Sequence, residues 1–163
     1  MKRRRALLAP AVFFCLAPGT VAGLIPFWIS RWQFEPSFFG FEPVRWFGVL
    51  LILFAVPVLL ESCARFAVEG LGTPAPILPT QHLVVKGLYR YVRNPMYVAV
   101  VSIIIGQGLL LGNASVLVYA AVVWAPFFGF VLLYEEPKLR KTYGAEYDAY
   151  TARVPRWIPR ITN

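Results

Sequence analysis

Four long apolar runs, rather than a periodic hydrophobic pattern, dominate this chain of 163 residues. Hydrophobic residues make up 58% of it, above the roughly 45–50% that is usual for a globular domain. Continuous apolar runs of this length are typical of helices that cross a membrane. The sequence therefore predicts an all-α protein, an integral membrane helical bundle that forms a single domain over residues 1–163.

The runs predict about four transmembrane helices. The first run follows the basic residues 2–5, and it is longer than the apolar part of a secretory signal, which is roughly 7–15 residues. We therefore expect it to be a retained span, with a kink at Pro10, Pro18 and Gly19. The four spans are expected at about residues 6–29, 46–68, 94–111 and 116–134.

The basic residues predict the orientation of these spans. Only Arg31 and Arg45 lie between the first two spans, and the turn at residues 112–115 carries no charge. The N-terminus, the loop 69–93 and the tail 135–163 hold nearly all the other basic residues. Lys and Arg are enriched in cytoplasmic connections. We therefore expect a multi-pass protein embedded in the lipid bilayer, with both termini in the cytoplasm.

Charge, cysteine and histidine content exclude several other classes. The net charge of +8 does not indicate nucleic-acid binding, because the basic residues flank apolar runs instead of forming a polar, basic surface. Cys15 and Cys63 lie within apolar runs and are interpreted as small buried hydrophobic residues. His82 is the single histidine. With no cysteine nearby it does not predict a metal site, and its role stays open.

A charged pair precedes the long loop, and the loop itself has an unusual composition. Glu61 and Arg65, one turn apart near the end of the second span, are expected to pair. Residues 69–86 are rich in glycine and proline and cannot form a continuous helix. Long connections of this kind are often functional.

After Pro137 the tail shows a helical period. Apolar and aromatic side chains form one stripe, and charged residues occupy the other faces. This predicts one cytoplasmic amphipathic C-terminal helix at the membrane interface, ended by Pro155. The stripe consists of Leu139, Tyr143, Tyr147, Tyr150 and Val154.

Glu135 and Glu136 follow the fourth span directly and place two carboxylates at the membrane surface. They could be interface charges that Lys138 or Arg140 neutralises. However, acidic residues contribute little to orientation, so topology does not explain the pair. The two carboxylates could instead bind an ammonium group or ribose hydroxyls through charge-assisted hydrogen bonds.

A second candidate set precedes the third span. Arg93 and Asn94 lie before Pro95, where a helix can begin with free N–H groups that face an anion. Arg93 could orient a carboxylate or phosphate, or it could anchor the protein to lipid headgroups.

Three further residues and one short segment are also candidates for a ligand site. Gly87 permits close backbone approach. Tyr89 and Tyr97 could pack on an aromatic or sulfonium ligand, or they could belong to an interfacial aromatic belt. Residues 106–108, Gly-Gln-Gly, fit a small-residue packing face better than a ligand loop.

Two spaced motifs occur in the second half of the chain. They consist of Gly87, Tyr89, Arg93, Asn94, Pro95 and Tyr97, then Glu135, Glu136, Leu139, Tyr143, Gly144, Tyr147, Tyr150, Val154 and Pro155. These motifs resemble those of a known group of enzymes, the isoprenylcysteine carboxyl methyltransferase and phospholipid methyltransferase superfamily. The resemblance covers roughly residues 70–160, with a helical hairpin between the motifs. Asn94 replaces the usual histidine and cannot titrate, and Tyr143 replaces the usual phenylalanine.

The resemblance implies methyl transfer from S-adenosyl-L-methionine to a lipophilic or lipidated acceptor at the cytoplasmic face. The acceptor group could be a carboxylate, an amine or a thiol, and the use of a general base stays open, as does the oligomeric state. The alternative is a non-enzymatic membrane interaction protein that retains the fold. The implied cofactor residues are Gly87, Tyr89, Asn94, Tyr97, Glu135 and Glu136, and the residues implied to orient an anionic substrate are Arg93 and Arg153.

Overall fold

The computed structural model of the protein describes residues 16–68 and 83–160. All regular secondary structure within these ranges is helical, which confirms the all-α prediction. Our expectations for Pro10, Cys15, His82, the N-terminal basic residues and most of the glycine- and proline-rich loop lie outside the described residues.

Five helices and two short turns make up the described part of the chain. One helix includes a π-helical turn, Thr20–Leu24, and another includes a second one, Val131–Glu135. Turns of 3₁₀ type lie at Phe38–Gly40 and Gly87–Arg90. The helices are α1 (Leu16–Ser30), α2 (Pro43–Val68), α3 (Pro95–Leu111), α4 (Ala114–Tyr143) and α5 (Ala145–Arg153).

Two of these helices are long and apolar enough to cross a membrane. They are Pro43–Arg65 within α2 and Ala114–Tyr143, which is α4. Only 17% of the residues in the most apolar part of each are buried inside the protein, so most of their side chains are at least partly accessible at the surface of the bundle, where lipid would contact them. Helices α1 and α3 are apolar but shorter. The number of four spans stays a prediction.

Helices α2 and α3 approach each other closely at two glycines. A Cβ atom on Gly48 would lie 2.6 Å from the carbonyl oxygen of Gly106, and a Cβ on Gly106 would lie 2.8 Å from that of Gly48. Gly108 lies in the same way against Leu117 of α4. Small residues that let backbones approach are characteristic of helix contacts in membranes. This confirms the interpretation of the Gly-Gln-Gly sequence as a packing face.

Helix α1 contains the π-helical turn Thr20–Leu24 directly after Pro18 and Gly19, and the kink expected at those two residues stays a prediction. Gln107 of α3 donates from Nε2 to the carbonyl oxygen of Ala22 at 2.6 Å. Tyr119 of α4 donates from its hydroxyl to the carbonyl oxygen of Val21 at 3.0 Å. Neighbouring side chains can satisfy backbone groups that an irregular turn leaves exposed in lipid. Helix α1 is thereby tied to both α3 and α4.

We expect Gln107→Leu to lower the free energy of unfolding by about 0.6–1.7 kcal/mol, which are the average and the maximum for side-chain hydrogen bonds between membrane helices. The physical reason is that the Ala22 carbonyl would lose its interhelical donor. Denaturation in detergent would measure the change. The matched control is Val118→Leu, since Val118 faces outward on α4. Equal stability of the Gln107 variant and the wild-type protein would contradict this role.

The connection after α1 packs on the turn between α3 and α4. Arg45 donates from Nη1 to the Leu110 carbonyl oxygen at 2.6 Å and from Nη2 to that of Glu35 at 2.5 Å. Asn113 caps α4 by accepting a hydrogen bond from the Val116 backbone N–H at 3.0 Å, and its amide donates to the Glu35 carboxylate. The predicted tight turn is thus confirmed as a capped hairpin.

The prediction of one continuous tail helix is wrong. Helix α4 continues through the acidic pair to Tyr143, and Gly144, with φ of +53° and ψ of −126°, separates it from α5. The π-helical turn Val131–Glu135 explains why Pro137 does not end α4. The local change in hydrogen-bond register accommodates a proline, which lacks an N–H and would clash within a regular helix. Helix α5 does end before Pro155, as predicted.

Candidate active site

Four parts of the protein meet at one end of the bundle. They are the 3₁₀ turn Gly87–Arg90, the start of α3, the C-terminal half of α4 and the tail. The tail returns to this end after α5. The Arg93 backbone N–H donates to the Pro155 carbonyl oxygen at 2.9 Å, and the Arg160 N–H donates to that of Tyr91 at 3.0 Å. These backbone contacts position the C-terminal segment beside the first turn of α3.

Glu136 lies at the centre of an ion-pair cluster. Its Oε1 atom accepts from Arg93 Nη1 at 2.9 Å and from Arg156 Nε at 2.6 Å, while Oε2 accepts from Arg156 Nη2 at 2.8 Å. The side chains of Glu136 and Arg93 are only 14% and 12% exposed. The hydrogen bonds to Glu136 raise the pKa of the Arg156 guanidinium, against a smaller opposing effect of burial. A two-pronged pair of this kind fixes the plane of the carboxylate.

Glu135 faces a different partner. Its Oε2 atom accepts a hydrogen bond from the Tyr97 hydroxyl at 3.1 Å, and within the described ranges no cationic side chain forms a salt bridge with it. Glu135 is the last residue of the π-helical turn in α4, and such turns often occur at functional sites. This carboxylate therefore retains capacity for an external cation or hydrogen-bond donor.

Two tyrosines of the resemblance motif lie beside this pair. Tyr89 is buried, and burial, followed by the nearby Glu135 carboxylate, raises the pKa of its phenol well above the usual range. The Tyr150 hydroxyl donates to the Tyr89 carbonyl oxygen at 2.7 Å. Burial also raises the pKa of Tyr150. Both phenols therefore keep their protons at neutral pH and act as donors rather than as bases.

Asn94 and Gly87 contact parts of the protein itself. Asn94 is buried and donates from Nδ2 to the Arg156 carbonyl oxygen at 3.2 Å. Gly87 has φ of +60°, and a Cβ atom there would collide with Glu61 and Arg65. The predicted pair between those two residues is present, with Arg65 Nε 2.7 Å from Glu61 Oε1. The close approach expected at Gly87 is thus to this ion pair on α2.

Arg153 does not reach the Glu136 cluster. Its side chain is exposed, and its Nε donates to the Ala149 carbonyl oxygen at 3.2 Å. It lines a polar groove of about 370 Å³ with Arg90 and Glu146. The structure therefore brings Arg93 and both glutamates together, and it places Arg153 in a neighbouring groove.

An apolar cavity of about 450 Å³ lies between α2 and α3. Its walls include Phe54, Val58 and Val98, and Tyr91 also lines it. Tyr91 also lines two neighbouring spaces. One is a cavity of about 400 Å³ that Glu61 also lines, and the other is the polar groove that contains Arg153. The apolar cavity thus leads to the same end of the bundle as the carboxylates.

Sequence reasoning missed Arg156 and Trp157. Trp157 packs against Trp124 at 4.6 Å and Phe128 at 5.9 Å between ring centroids. The available signal was an arginine and a tryptophan directly after Pro155, in a segment interpreted only as the end of a helix. Among the described residues, no cluster of three or more His, Cys, Asp or Glu side chains could hold a metal ion.

Several curated proteins are similar to about half of the chain. The protein-S-isoprenylcysteine O-methyltransferase of Schizosaccharomyces pombe is 40% identical over 80 residues, which are 48% of this chain and 34% of that protein. Protein-S-isoprenylcysteine O-methyltransferase B of Arabidopsis thaliana is 36% identical over 80 residues, 48% of this chain and 40% of the relative.

A more distant similarity extends further along the chain. The protein-S-isoprenylcysteine O-methyltransferase of Dictyostelium discoideum is 28% identical over 144 residues, 84% of this chain and 57% of the relative. The chain thus spans between 34% and 57% of the length of these three proteins. A family model described as phospholipid methyltransferase matches residues 44–146, more than half of the chain. The resemblance seen in the motifs is thereby confirmed, and the chain belongs to the phospholipid methyltransferase family.

Proposed function

We propose that this protein transfers a methyl group from S-adenosyl-L-methionine to a lipophilic acceptor at the cytoplasmic face of a membrane. The observation that carries this proposal is the position of Glu135. This carboxylate has no cationic partner among the described residues, and it lies at the end of the bundle to which the apolar cavity leads. The names of the relatives point to an isoprenylcysteine acceptor, and the name of the family points to a phospholipid. Both are lipophilic.

The side chains present fit this cofactor. Glu135 can accept hydrogen bonds from an ammonium group or from ribose hydroxyls. The Nε atom of Arg93 is buried and has no hydrogen-bond partner among the described residues, so a hydrogen-bond donor remains beside the cofactor site for an anionic substrate group. Tyr97 and Tyr89 offer aromatic surface to a sulfonium or to a base. When bound, S-adenosyl-L-methionine supplies an activated methyl group.

The residues of this chain would contribute orientation and exclusion of water. Tyr150 and Asn94 hold the tail against the start of α3, and a closed tail would shield the reacting groups from solvent. Alignment of two reactants and removal of water supply much of the acceleration in a direct group transfer. We propose the backbone of Gly87 as part of the cofactor pocket, together with Glu136.

We further propose that Arg93 and Arg153 orient an anionic acceptor from two sides. Arg93 lies in the buried cluster, while Arg153 and Arg90 line the polar groove. A carboxylate acceptor would need no base, which agrees with the protonated state of Tyr89 and Tyr150. An amine or a thiol would have to lose a proton to another group.

The topology that fits this arrangement is multi-pass, with four spans and both termini in the cytoplasm. The charge distribution supports it, because basic residues are concentrated at one side of the spans. The polar cofactor would then reach the acidic pair from the cytoplasm, and the acceptor would reach the apolar cavity from the bilayer. A C-terminal tag found on the opposite side of the membrane would contradict this orientation.

Binding of S-adenosylhomocysteine, measured by calorimetry on the full chain in detergent, tests the proposed function. We expect the wild-type protein to bind and Glu135→Gln to weaken binding by about 1–3 kcal/mol through loss of a charged hydrogen bond. Glu42→Gln is the matched control, because Glu42 is an exposed carboxylate that pairs with Arg45 far from this site.

Transfer of label from S-adenosyl-L-methionine to a lipid extract would then identify the acceptor. If the wild-type protein neither binds S-adenosylhomocysteine nor labels any lipid, the enzymatic proposal fails. The alternative, a non-enzymatic membrane interaction protein with the same fold, would then be favoured.

A further inference from the structure

The two adjacent carboxylates differ in how fully they are engaged. Both oxygens of Glu136 accept hydrogen bonds from guanidinium groups, three bonds in total. Glu135 accepts a hydrogen bond from the Tyr97 hydroxyl and forms no salt bridge with any described residue. Successive helical positions point about 100° apart. Glu135 therefore faces α3 while Glu136 faces the tail and Arg93.

The backbone around Arg156 is held by contacts that do not involve its guanidinium group. Its carbonyl oxygen accepts from Asn94, and the carbonyl oxygen of Pro155 accepts from the Arg93 backbone. Trp157 packs on aromatic side chains of α4. The side chain of Arg156 thus extends to Glu136 from a fixed main chain, and its removal leaves these anchors in place.

We propose that Arg156 is a positioning residue of the cofactor site, which acts by fixing Glu136 and so leaves Glu135 as the carboxylate that receives the ligand's cation. The inference rests on the proposed function. Without Arg156, Glu136 would keep only its hydrogen bond from Arg93 and could rotate. Two neighbouring carboxylates would then share one guanidinium group, and their repulsion would disturb Glu135 as well.

The geometry requires arginine at this position. The Nε and Nη2 atoms of Arg156 each contact a different oxygen of Glu136, at 2.6 and 2.8 Å. This fixes both the position and the plane of the carboxylate. Lysine would supply a point charge without the planar two-pronged donor geometry. A lysine variant should therefore retain the charge balance but lose part of the positioning.

The test is the affinity for S-adenosylhomocysteine of the full chain in detergent. Arg156→Gln should weaken binding by about tenfold or more, and Arg156→Lys by roughly threefold, the partial rescue expected when charge is kept without geometry. The control is Arg140→Gln, because Arg140 forms an exposed pair with Asp148 on the same tail. Its affinity should stay within about twofold of wild type, since exposed pairs contribute little.

Combining two changes shows whether Arg156 acts through Glu136. If it does, Arg156→Gln together with Glu136→Gln should weaken binding by less than the product of the single effects. Wild-type affinity in Arg156→Gln, or single effects that multiply fully, would overturn the inference while the proposed function stands. A wild-type protein that does not bind S-adenosylhomocysteine would overturn the proposed function and, with it, this inference.

Discussion

Gly106→Leu is expected to separate α2 from α3 and to destabilise the bundle by about 3 kcal/mol or more, the upper range for overpacking. Even the first carbon of the new side chain would lie 2.7 Å from Ile52 Cγ1 and 2.8 Å from the carbonyl oxygen of Gly48. The backbone of α2 cannot move aside as a flexible side chain could. Because the apolar cavity lies between the same two helices, its shape should be lost as well.

Gly129→Leu is the matched control for this substitution. Gly129 lies in α4, and a Cβ atom there would have nothing within 4 Å. The change from glycine to leucine favours a helix by up to about 1 kcal/mol at both positions, so only the contact differs. Unfolding in detergent and the yield of folded protein would measure the effect. Equal stability of the two variants would show that the glycine contact does not hold α2 on α3.

The helices could be predicted from the sequence because lipid offers no hydrogen-bond partners to the backbone. An apolar run without charges must satisfy its own backbone hydrogen bonds, and the observed α2 and α3 agree closely with the spans expected at 46–68 and 94–111. The turn after α3 could also be predicted from the sequence. Gly112 adopts a φ of +73°, and Asn113 caps the next helix.

The end of α4 could not be predicted from hydropathy. The apolar run stops near Tyr134, but the helix continues to Tyr143. Hydropathy reports the end of the apolar environment, whereas a helix ends where its hydrogen bonds end. Gly144 provides that end, and the π-helical turn Val131–Glu135 has no clear signature in the residues that form it.

The candidate site could be predicted in part. The motif residues Tyr97 and Glu135 do meet, as do Arg93 and Glu136. Arg156 was missed because its partner lies 20 residues earlier, beyond the reach of any helical spacing. The contact forms only when the tail folds back onto α3, which depends on tertiary packing rather than on a local pattern.

Arg93→Ala is expected to lower turnover on the order of 100-fold, equivalent to about 2.7 kcal/mol in the barrier. The guanidinium is nearly buried, pairs with Glu136, and carries an Nε donor without a partner among the described residues. Kinetics with labelled S-adenosyl-L-methionine and an acceptor from the lipid extract would measure kcat and both KM values. If Arg93 orients the acceptor, affinity for S-adenosylhomocysteine should fall by less than kcat does.

A comparison of three arginines on this end of the bundle decides between orientation and general electrostatics. Arg153→Ala should reduce turnover by no more than about fivefold, because exposed charges contribute roughly 1 kcal/mol or less. Arg140→Ala, which removes an exposed pair on the tail, should have no effect. Arg93→Lys should recover only part of the activity, since it restores charge but not the planar donor geometry. Full activity in the alanine variants of both Arg93 and Arg153 would exclude an anionic acceptor and favour an amine or a thiol.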